Sequence, residues 1–306
     1  GTAPLGLAND LLEPRRISGT ANFDLLINGP PAVSSVSGIV TSRGARLAVP
    51  TFVEALEDIN ADIALQNGTA NLTVDAEFQT GGEVQLSGPV TLSAPFNANL
   101  NTTLRSLILR DPELYETRVS GSFGVNGPLT GGAAITGNVE VFNTEIRVPS
   151  SGIGALGNLP EVSHFGASAN VQQTITRAGA TISGQDVEAT SSTGPAFPID
   201  ITVNAPSRIF VRGRGLDAEL GGALTLTGTT DNIIPNGQFN LVRGRLDILQ
   251  QRFELSEGSA SLQGDFEPYI RLVARTEAST GTAIQIVVEG PATAPEVNFV
   301  SSPELP

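Results

Sequence analysis

The sequence of 306 residues predicts an all-β protein made of tandem repeats, and three observations support that prediction. Apolar and polar residues alternate in many short segments, and glycine-rich turn signals separate those segments. A longer pattern returns after about 100 residues. Because 40% of the residues are apolar, the chain can also bury a substantial core.

Alternation with a period of two places successive side chains on opposite faces of a strand. In Asn71–Phe78 every even position is apolar and every odd position is polar, and this phase resumes at Val84. We therefore expect strands that have one apolar and one polar face. The dipeptides that we interpret as turns between strands are Asn67-Gly68, Gly81-Gly82, Gly131-Gly132, Gly221-Gly222 and Asn236-Gly237.

Helical spacing is scarce in the sequence. The best candidate is Thr51–Ile59, where the spacing of Phe52, Val53, Leu56 and Ile59 predicts at most two helical turns. Leu107–Tyr115 shows weaker helical spacing, but Pro112 interrupts it, so a strand is favoured there.

The longer pattern predicts one elongated β domain over residues 1–306. Gly19–Pro50 resembles Gly121–Pro149 and Gly222–Ile248, and Pro95–Arg110 resembles Ala196–Arg212. The repeat units are predicted at approximately 17–120, 121–220 and 221–306, and a Gly- and Ser-rich stretch predicts a loop over 149–166. Repeats that bury a face only against their neighbours build elongated structures.

The composition excludes several classes of protein. The net charge is −14, all 17 basic residues are Arg, and the chain has one His and no Cys or Met. Absence of Cys excludes disulfides and thiolate metal sites, and an acidic chain without Lys is unsuited to nucleic-acid binding. We interpret His164 as a loop residue and pairs such as Asp265 and Glu267 as solvated surface. We therefore expect no enzyme activity, metal or cofactor.

The apolar strand faces are the feature of greatest functional interest. They either form a dry core, which is the usual fate of such residues, or line a trough that is accessible to acyl chains. With almost no helix to act as a lid, a sheet that curls without closing leaves such a trough. The candidate groove residues are Leu72, Val74, Phe78, Val84, Leu86, Ile199, Ile201, Val203, Ile209, Val211, Leu224, Leu226, Phe239, Leu241, Leu246, Ile248, Phe253, Leu255, Ile270, Leu272, Ile284, Ile286, Val288, Val297 and Phe299.

Two near-identical arginine motifs follow apolar strands. One contains Arg212 and Arg214, and the other contains Arg243 and Arg245. Guanidinium groups pair bidentately with phosphate and carboxylate, so these arginines are candidate head-group contacts. The alternative is that they lie on the solvent face and pair with neighbouring carboxylates. The carboxylates available for that pairing are Asp217, Glu219 and Asp247.

Several segments in the last 110 residues together carry a resemblance to a known family. They are Ile209–Gly222, Gly237–Ile248, Arg252–Leu255, Glu257-Gly258, Pro268–Ile270 and Ser301–Pro306. In their order and spacing, Phe197–Pro306 resembles the TamB C-terminal domain, within the AsmA-like superfamily of Gram-negative envelope proteins. The first 150 residues resemble the looser upstream repeats of the same family.

The resemblance implies a β-taco, which is a long, curled, open β-sheet with a hydrophobic interior groove. It implies a periplasmic bridge that transfers phospholipid between the inner and outer membranes and is anchored in the inner membrane by an N-terminal helix. It also associates the protein with TamA, an outer-membrane β-barrel partner, and with the assembly of outer-membrane proteins. The family has no catalytic motif to carry over.

Two functional hypotheses follow from the sequence. In the first, the chain is a slice of a longer lipid-transfer bridge, because it lacks an initiator Met, the anchor helix and most upstream repeats. In the alternative, it is a scaffold or chaperone for outer-membrane protein (autotransporter) assembly, pairing client strands with an exposed sheet edge. A cell-surface β-solenoid is disfavoured, because its coils repeat about every 20 residues.

Overall fold

The computed structural model describes residues 1–12, 15–30, 32–48, 55–111, 113–148, 196–248, 250–277 and 282–302. The chain divides into one compact unit of residues 1–150 and 195–306 and a second unit of residues 151–194. The predicted loop over 149–166 and His164 lie outside the described residues.

The first unit is all-β, as the alternation predicts. In the described ranges seventeen strands form one sheet that does not close into a barrel, consistent with a curled open sheet. The strands are β1 (Thr2–Pro4), β2 (Arg16–Ser18), β3 (Thr20–Ile27), β4 (Val36–Ala48), β5 (Ala55–Gln66), β6 (Thr69–Phe78), β7 (Glu83–Thr91), β8 (Asn97–Asp111), β9 (Tyr115–Pro128), β10 (Ala134–Arg147), β11 (Ile199–Gly213), β12 (Leu216–Thr229), β13 (Asn232–Ile248), β14 (Gln251–Gln263), β15 (Tyr269–Glu277), β16 (Ala283–Pro291) and β17 (Glu296–Ser302). Short helical turns occur at Leu5–Ala8, Asn9–Leu12 and Val33–Ser35.

From β3 onward each strand pairs with the next strand along the chain. These pairs are antiparallel except for β10 with β11, which is the one parallel pair among the described strands. At the start of the sheet, β1 pairs with β3, and β2 pairs with the end of β4. The three copies of the repeated sequence pattern fall on the strand pairs β3–β4, β9–β10 and β12–β13.

Two expectations about local structure were wrong. Ala55–Ile59 belongs to strand β5 and not to a helix, because Leu56 pairs with Leu47 and Phe78 on the neighbouring strands. Gly221-Gly222 and Asn236-Gly237 are not turns, because they lie inside β12 and β13. The strand favoured over Leu107–Tyr115 is confirmed for β8, which runs to Asp111.

β-Bulges interrupt the pairing near the middle of many strands. A bulge adds residues to one strand of a pair, which bends that strand and increases its twist. The breaks in register fall between Ser42 and Ala45, Glu57 and Asn60, Leu104 and Leu107, Phe142 and Glu145, Ala205 and Ile209, and Leu255 and Glu257. A further bulge, at Val242, faces Glu219 and Leu220.

The buried apolar residues form a stripe that runs across the sheet beside these bulges. Four clusters of buried side chains follow one another, centred on Ile59, Leu107, Ile209 and Leu255. Consecutive clusters share a member, since Leu56, Val141 and Leu241 each pack against two of them. The core of the unit is therefore one continuous stripe, which we call the buried stripe.

Glycines inside the strands allow neighbouring backbones to approach closely. Gly237 on β13 lies opposite Leu224 on β12, and a Cβ added to Gly237 would lie 2.5 Å from Leu224 Cα. That distance is far below van der Waals contact, so the backbones would have to separate. The glycine at this position is therefore a steric requirement of the sheet.

Replacing Gly237 with Ala should lower the free energy of unfolding by about 1–3 kcal/mol, because overpacking forces a backbone shift. Urea unfolding followed by circular dichroism measures the change. Gly6→Ala is the matched control, since its added Cβ would meet nothing closer than 3.7 Å. Equal stability of the two variants would mean that β12 and β13 do not approach as described.

Candidate functional site

The sheet carries one continuous apolar face. Directly paired residues of neighbouring strands point to the same side of a sheet, so the register defines which residues share a face. One register row crosses twelve strands and consists of Ala3, Ala21, Ser42, Ala61, Val74, Leu86, Thr102, Phe123, Gly137, Ile201, Leu226 and Pro235. At the usual strand spacing this row is about 50 Å long.

A second row extends the same face to the end of the sheet. Ile146 pairs with Val211, Val211 pairs with Ala218, and Ala218 pairs with Gly244. On the later strands, Phe299 pairs with Ile286, Ile286 pairs with Ala274, and Ala274 pairs with Leu255. All described strands belong to one sheet, so no second sheet of described residues lies on this face.

The predicted groove residues differ in how much of each is exposed. Phe78, Ile209, Phe253, Leu255 and Ile286 are buried and belong to the buried stripe. Val297 and Phe299 on β17 are 51% and 63% exposed. The remaining candidates are half-buried: Leu72, Val74, Val84, Leu86, Ile199, Ile201, Val203, Val211, Leu224, Leu226, Phe239, Leu241, Leu246, Ile248, Ile270, Leu272, Ile284 and Val288.

The apolar face is more exposed at its two ends than in its middle. At the β3 end Phe23 pairs with Val40 and Leu25 pairs with Gly38, and both side chains are exposed. Val297 and Phe299 are exposed at the β17 end. The face therefore has a buried stripe, a half-buried surface beside it, and apolar side chains exposed at both ends.

Sequence reasoning missed every residue of this face on β4, β5, β8, β9 and β10. The missed residues include Val40, Ile59, Ile63, Leu100, Leu104, Leu107, Val119, Phe123, Val125, Ile135, Val139, Val141 and Ile146. The signal was present, because Ile135, Gly137, Val139 and Val141 alternate with polar residues. The bulge after Val141 then shifts the phase to Thr144 and Ile146.

The opposite face of the sheet is polar and carries a ladder of ion pairs. Arg212 on β11 bridges Glu145 on β10 and Asp217 on β12, and Arg245 on β13 lies 3.0 Å from the second oxygen of Asp217. Asp247 continues the ladder, with Arg245 at 3.6 Å and Arg252 on β14 at 2.9 Å. Alternating charges thus connect five neighbouring strands.

Two of the four arginines predicted as head-group contacts, Arg212 and Arg245, belong to this ladder, and Arg243 pairs with Glu219. Arg212, Arg243 and Arg245 alternate with groove-face residues such as Val211 and Gly244, so they lie on the polar face. Hydrogen bonds to Glu145 and then Asp217 raise the pKa of Arg212, and its guanidinium lies 4.7 Å from the centre of the Phe210 ring. Arg214 lies in the turn after β11. Their head-group role stays a prediction, and the ion pairs favour the solvent-face alternative.

Two further classes of site were sought in the described ranges. None of these residues forms a group of three or more His, Cys, Asp or Glu side chains that could hold a metal ion. Over the same ranges no helix combines the length and the apolarity needed to cross a membrane. What the arrangement offers chemically is a long apolar surface, suited to methylene chains and not to polar ligands.

Comparison with known protein families identifies the family of this chain. A sequence search found no curated protein that matches this chain. The sequence model of the family described as TamB C-terminal domain matches residues 70–306, which is more than half of the chain and runs from β6 to the last residue. The chain therefore belongs to the TamB C-terminal domain family of Gram-negative envelope proteins.

Proposed function

We propose that this domain is a segment of a periplasmic bridge that carries phospholipid acyl chains along its apolar face between the inner and outer membranes. The observation that carries the proposal is the continuous register row from Ala3 to Pro235, whose larger apolar members are half-buried. Family membership supports a role in the cell envelope. The lipid cargo is the further step proposed here.

The energetics favour a chain-like apolar ligand. Each methylene group that leaves water for an apolar surface contributes about 0.8 kcal/mol. A long row of Val, Leu and Ile side chains can hold such a chain without any specific polar contact. Exposed apolar side chains at β3 and β17 would let a chain enter or leave at either end of the face.

In this proposal the domain acts by binding and not by catalysis. It requires no cofactor, and it draws no energy from a nucleotide. In the full-length protein an N-terminal helix would anchor the bridge in the inner membrane, and an outer-membrane barrel of the TamA type would receive its other end. The polar face and its ion-pair ladder would then face the aqueous periplasm.

Replacing Leu224 with Asp should weaken acyl binding at least about tenfold. We expect the change to leave two methylene groups of the ligand uncovered, and at about 0.8 kcal/mol each their loss exceeds the 1.4 kcal/mol that corresponds to a tenfold change in affinity. Leu224 is half-buried on the apolar face of β12. Leu246→Asp and Leu272→Asp should act in the same way. Fluorescence titration with a pyrene-labelled 16-carbon fatty acid measures the affinity.

Ala223→Asp is the matched control for Leu224→Asp. Ala223 is the preceding residue of β12, is exposed, and lies on the polar face opposite Gln238. The affinity of Ala223→Asp for the labelled fatty acid should equal that of the unmodified chain. Equal loss in both variants, or purified protein that yields no lipid on extraction and no adduct in native mass spectrometry, would contradict the proposal.

Replacing Arg245 with Gln should leave the affinity for a phosphate-bearing lipid within about twofold and lower stability by less than about 1 kcal/mol, as for surface ion pairs. Arg245 lies on the polar face and already pairs with Asp217 and Asp247. Binding of lysophosphatidylglycerol and of the corresponding free fatty acid gives the comparison. A selective loss of the phosphate-bearing lipid would instead assign Arg245 a head-group contact.

One observation favours the alternative function in outer-membrane protein assembly. β17 has β16 as its only partner among the described strands, and its Val297, Phe299 and Val300 are exposed. An apolar edge strand is a template for pairing with another chain. A photocrosslinker at Asn298, compared with one at Gln238 inside the sheet, should then capture nascent outer-membrane strands. Capture of lipid alone at Asn298 would argue against this function.

A further inference from the structure

The bulges contain residues in an unfavourable backbone conformation. Among the described residues, four residues other than glycine have positive φ values inside strands, and each lies in a break of the register: Asp58 (46°), Ser106 (50°), Asn143 (52°) and Arg208 (67°). The corresponding residue of the β4 bulge is Gly44, at 64°. For a residue with a Cβ this conformation costs about 1–2 kcal/mol. It persists only where the surroundings impose it.

Each of these residues is followed by a buried residue of the apolar face. Ala45, Ile59, Leu107, Thr144 and Ile209 come directly after the five left-handed positions, and all five are buried. Bulges are known to redirect a side chain in this way. In this sheet each bulge turns the next side chain into the buried stripe, so the bulges and the stripe depend on each other.

Side chains of the next strand hold three of the bulges from the polar face. The backbone N–H of Gly44 donates to Asn60 Oδ1 (3.3 Å), and the backbone N–H of Ser106 donates to Ser120 Oγ (2.9 Å). The N–H of Arg208 donates to Glu219 Oε1 (3.2 Å). We call Asn60, Ser120 and Glu219 the bulge acceptors. Ser106 and Arg208 occupy matching places in the repeated pattern, since they directly precede the matching segments Leu107–Arg110 and Ile209–Arg212.

Glu219 is the strongest of the bulge acceptors. It is the one charged residue that is buried among the described residues, at 8% exposure. Its second oxygen accepts a hydrogen bond from Arg243 Nε at 2.7 Å. Arg243 follows the bulged Val242 of β13, so Glu219 connects a bulge on each neighbouring strand. A carboxylate buried in this way is destabilising unless its oxygens accept hydrogen bonds. The Glu219 carboxylate therefore depends on its bonds at both bulges.

We infer that Glu219 is a positioning residue that fixes the curvature of the apolar face and thereby the width of the acyl chain that the face accepts. The inference rests on the proposed function. Bending at the bulges sets how closely Ile209, Leu220 and Leu241 approach one another around a bound chain. Loss of the Glu219 acceptor would let the Arg208 bulge relax and the face flatten.

The test compares two fatty acids of equal length and different width, stearate and the cis-unsaturated oleate. In Glu219→Ala the ratio of the affinity for oleate to the affinity for stearate should rise about threefold or more. This is the size of effect expected when one hydrogen bond that holds the bulge is lost. In Glu219→Gln the amide oxygen can still accept from the Arg208 N–H, so the ratio should stay near that of the unmodified chain. Arg243→Gln removes the ion pair alone and should also keep the ratio.

General destabilisation would lower both affinities together and leave the ratio unchanged. An unchanged ratio in Glu219→Ala would therefore overturn the inference. The same is true of a ratio that changes equally in Glu219→Gln or in Arg243→Gln. Should Glu219→Ala fail to fold, Ser120→Ala removes the bulge acceptor that holds Ser106 without changing a charge, and the same ratio then decides whether a bulge acceptor sets the width.

A distance measurement tests the curvature without any lipid. The chain has no Cys, so Asp231→Cys and Gln250→Cys introduce two unique spin-label sites at the two ends of β13. In the Glu219→Ala background the distance distribution should shift to longer values, and in Glu219→Gln it should not. A shift with no fatty-acid binding in any variant would refute the proposed function and keep the positioning role. An unchanged distance would refute the positioning role.

Discussion

The structure depends on one constraint, which is that every strand must keep its apolar side chains on a single face while the strand bends. A strand of strict period two satisfies the first requirement, and a bulge satisfies the second. The bulge, however, adds residues and would reverse the faces. The left-handed residues at Asp58, Ser106 and Asn143, where the bulge adds one residue, resolve the conflict, because each returns the next side chain to the apolar face.

This constraint explains which parts of the fold could be predicted from the sequence. The strands β6, β7, β12 and β16 keep one phase, and their apolar residues were identified correctly as one face. On β5 the bulge places Leu56 and Ile59 three residues apart on the same face, and that spacing is also the spacing of a helix. Period alone could not separate the two. The described part of the predicted helix, Ala55–Ile59, belongs to a bulged strand, and residues 51–54 lie outside the described residues.

The glycine pairs show a second limit of local reasoning. Gly221-Gly222 and Asn236-Gly237 have the composition of tight turns, but they lie inside strands. Gly222 and Gly237 let β12 and β13 approach each other, and Gly221 lets β12 approach β11. The arginine motifs show a third limit. Asp217 and Asp247 are near their arginines in the sequence and could be named as partners, but Glu145, the other partner of Arg212, lies on β10, which is far from β11 in the sequence. Register, and not composition, decides which face an arginine occupies.

The two faces of the sheet have different roles. The apolar face supplies the buried stripe and the half-buried surface on which a lipid chain could lie. The polar face supplies the ion-pair ladder and the bulge acceptors, which control the geometry of the apolar face from behind. Membership of the TamB C-terminal domain family places this division of labour in the Gram-negative envelope.

The single parallel pair has a consequence for how the chain folds. Nearly every other pairing joins strands that are neighbours in sequence, so hairpins can form quickly and add to one another in either direction. Among the described strands, only β10 and β11 must wait until the ends of a long intervening segment come together, which carries an entropic penalty. We therefore expect the strands before and after this junction to form first as two separate sheets, with their joining as the slow step.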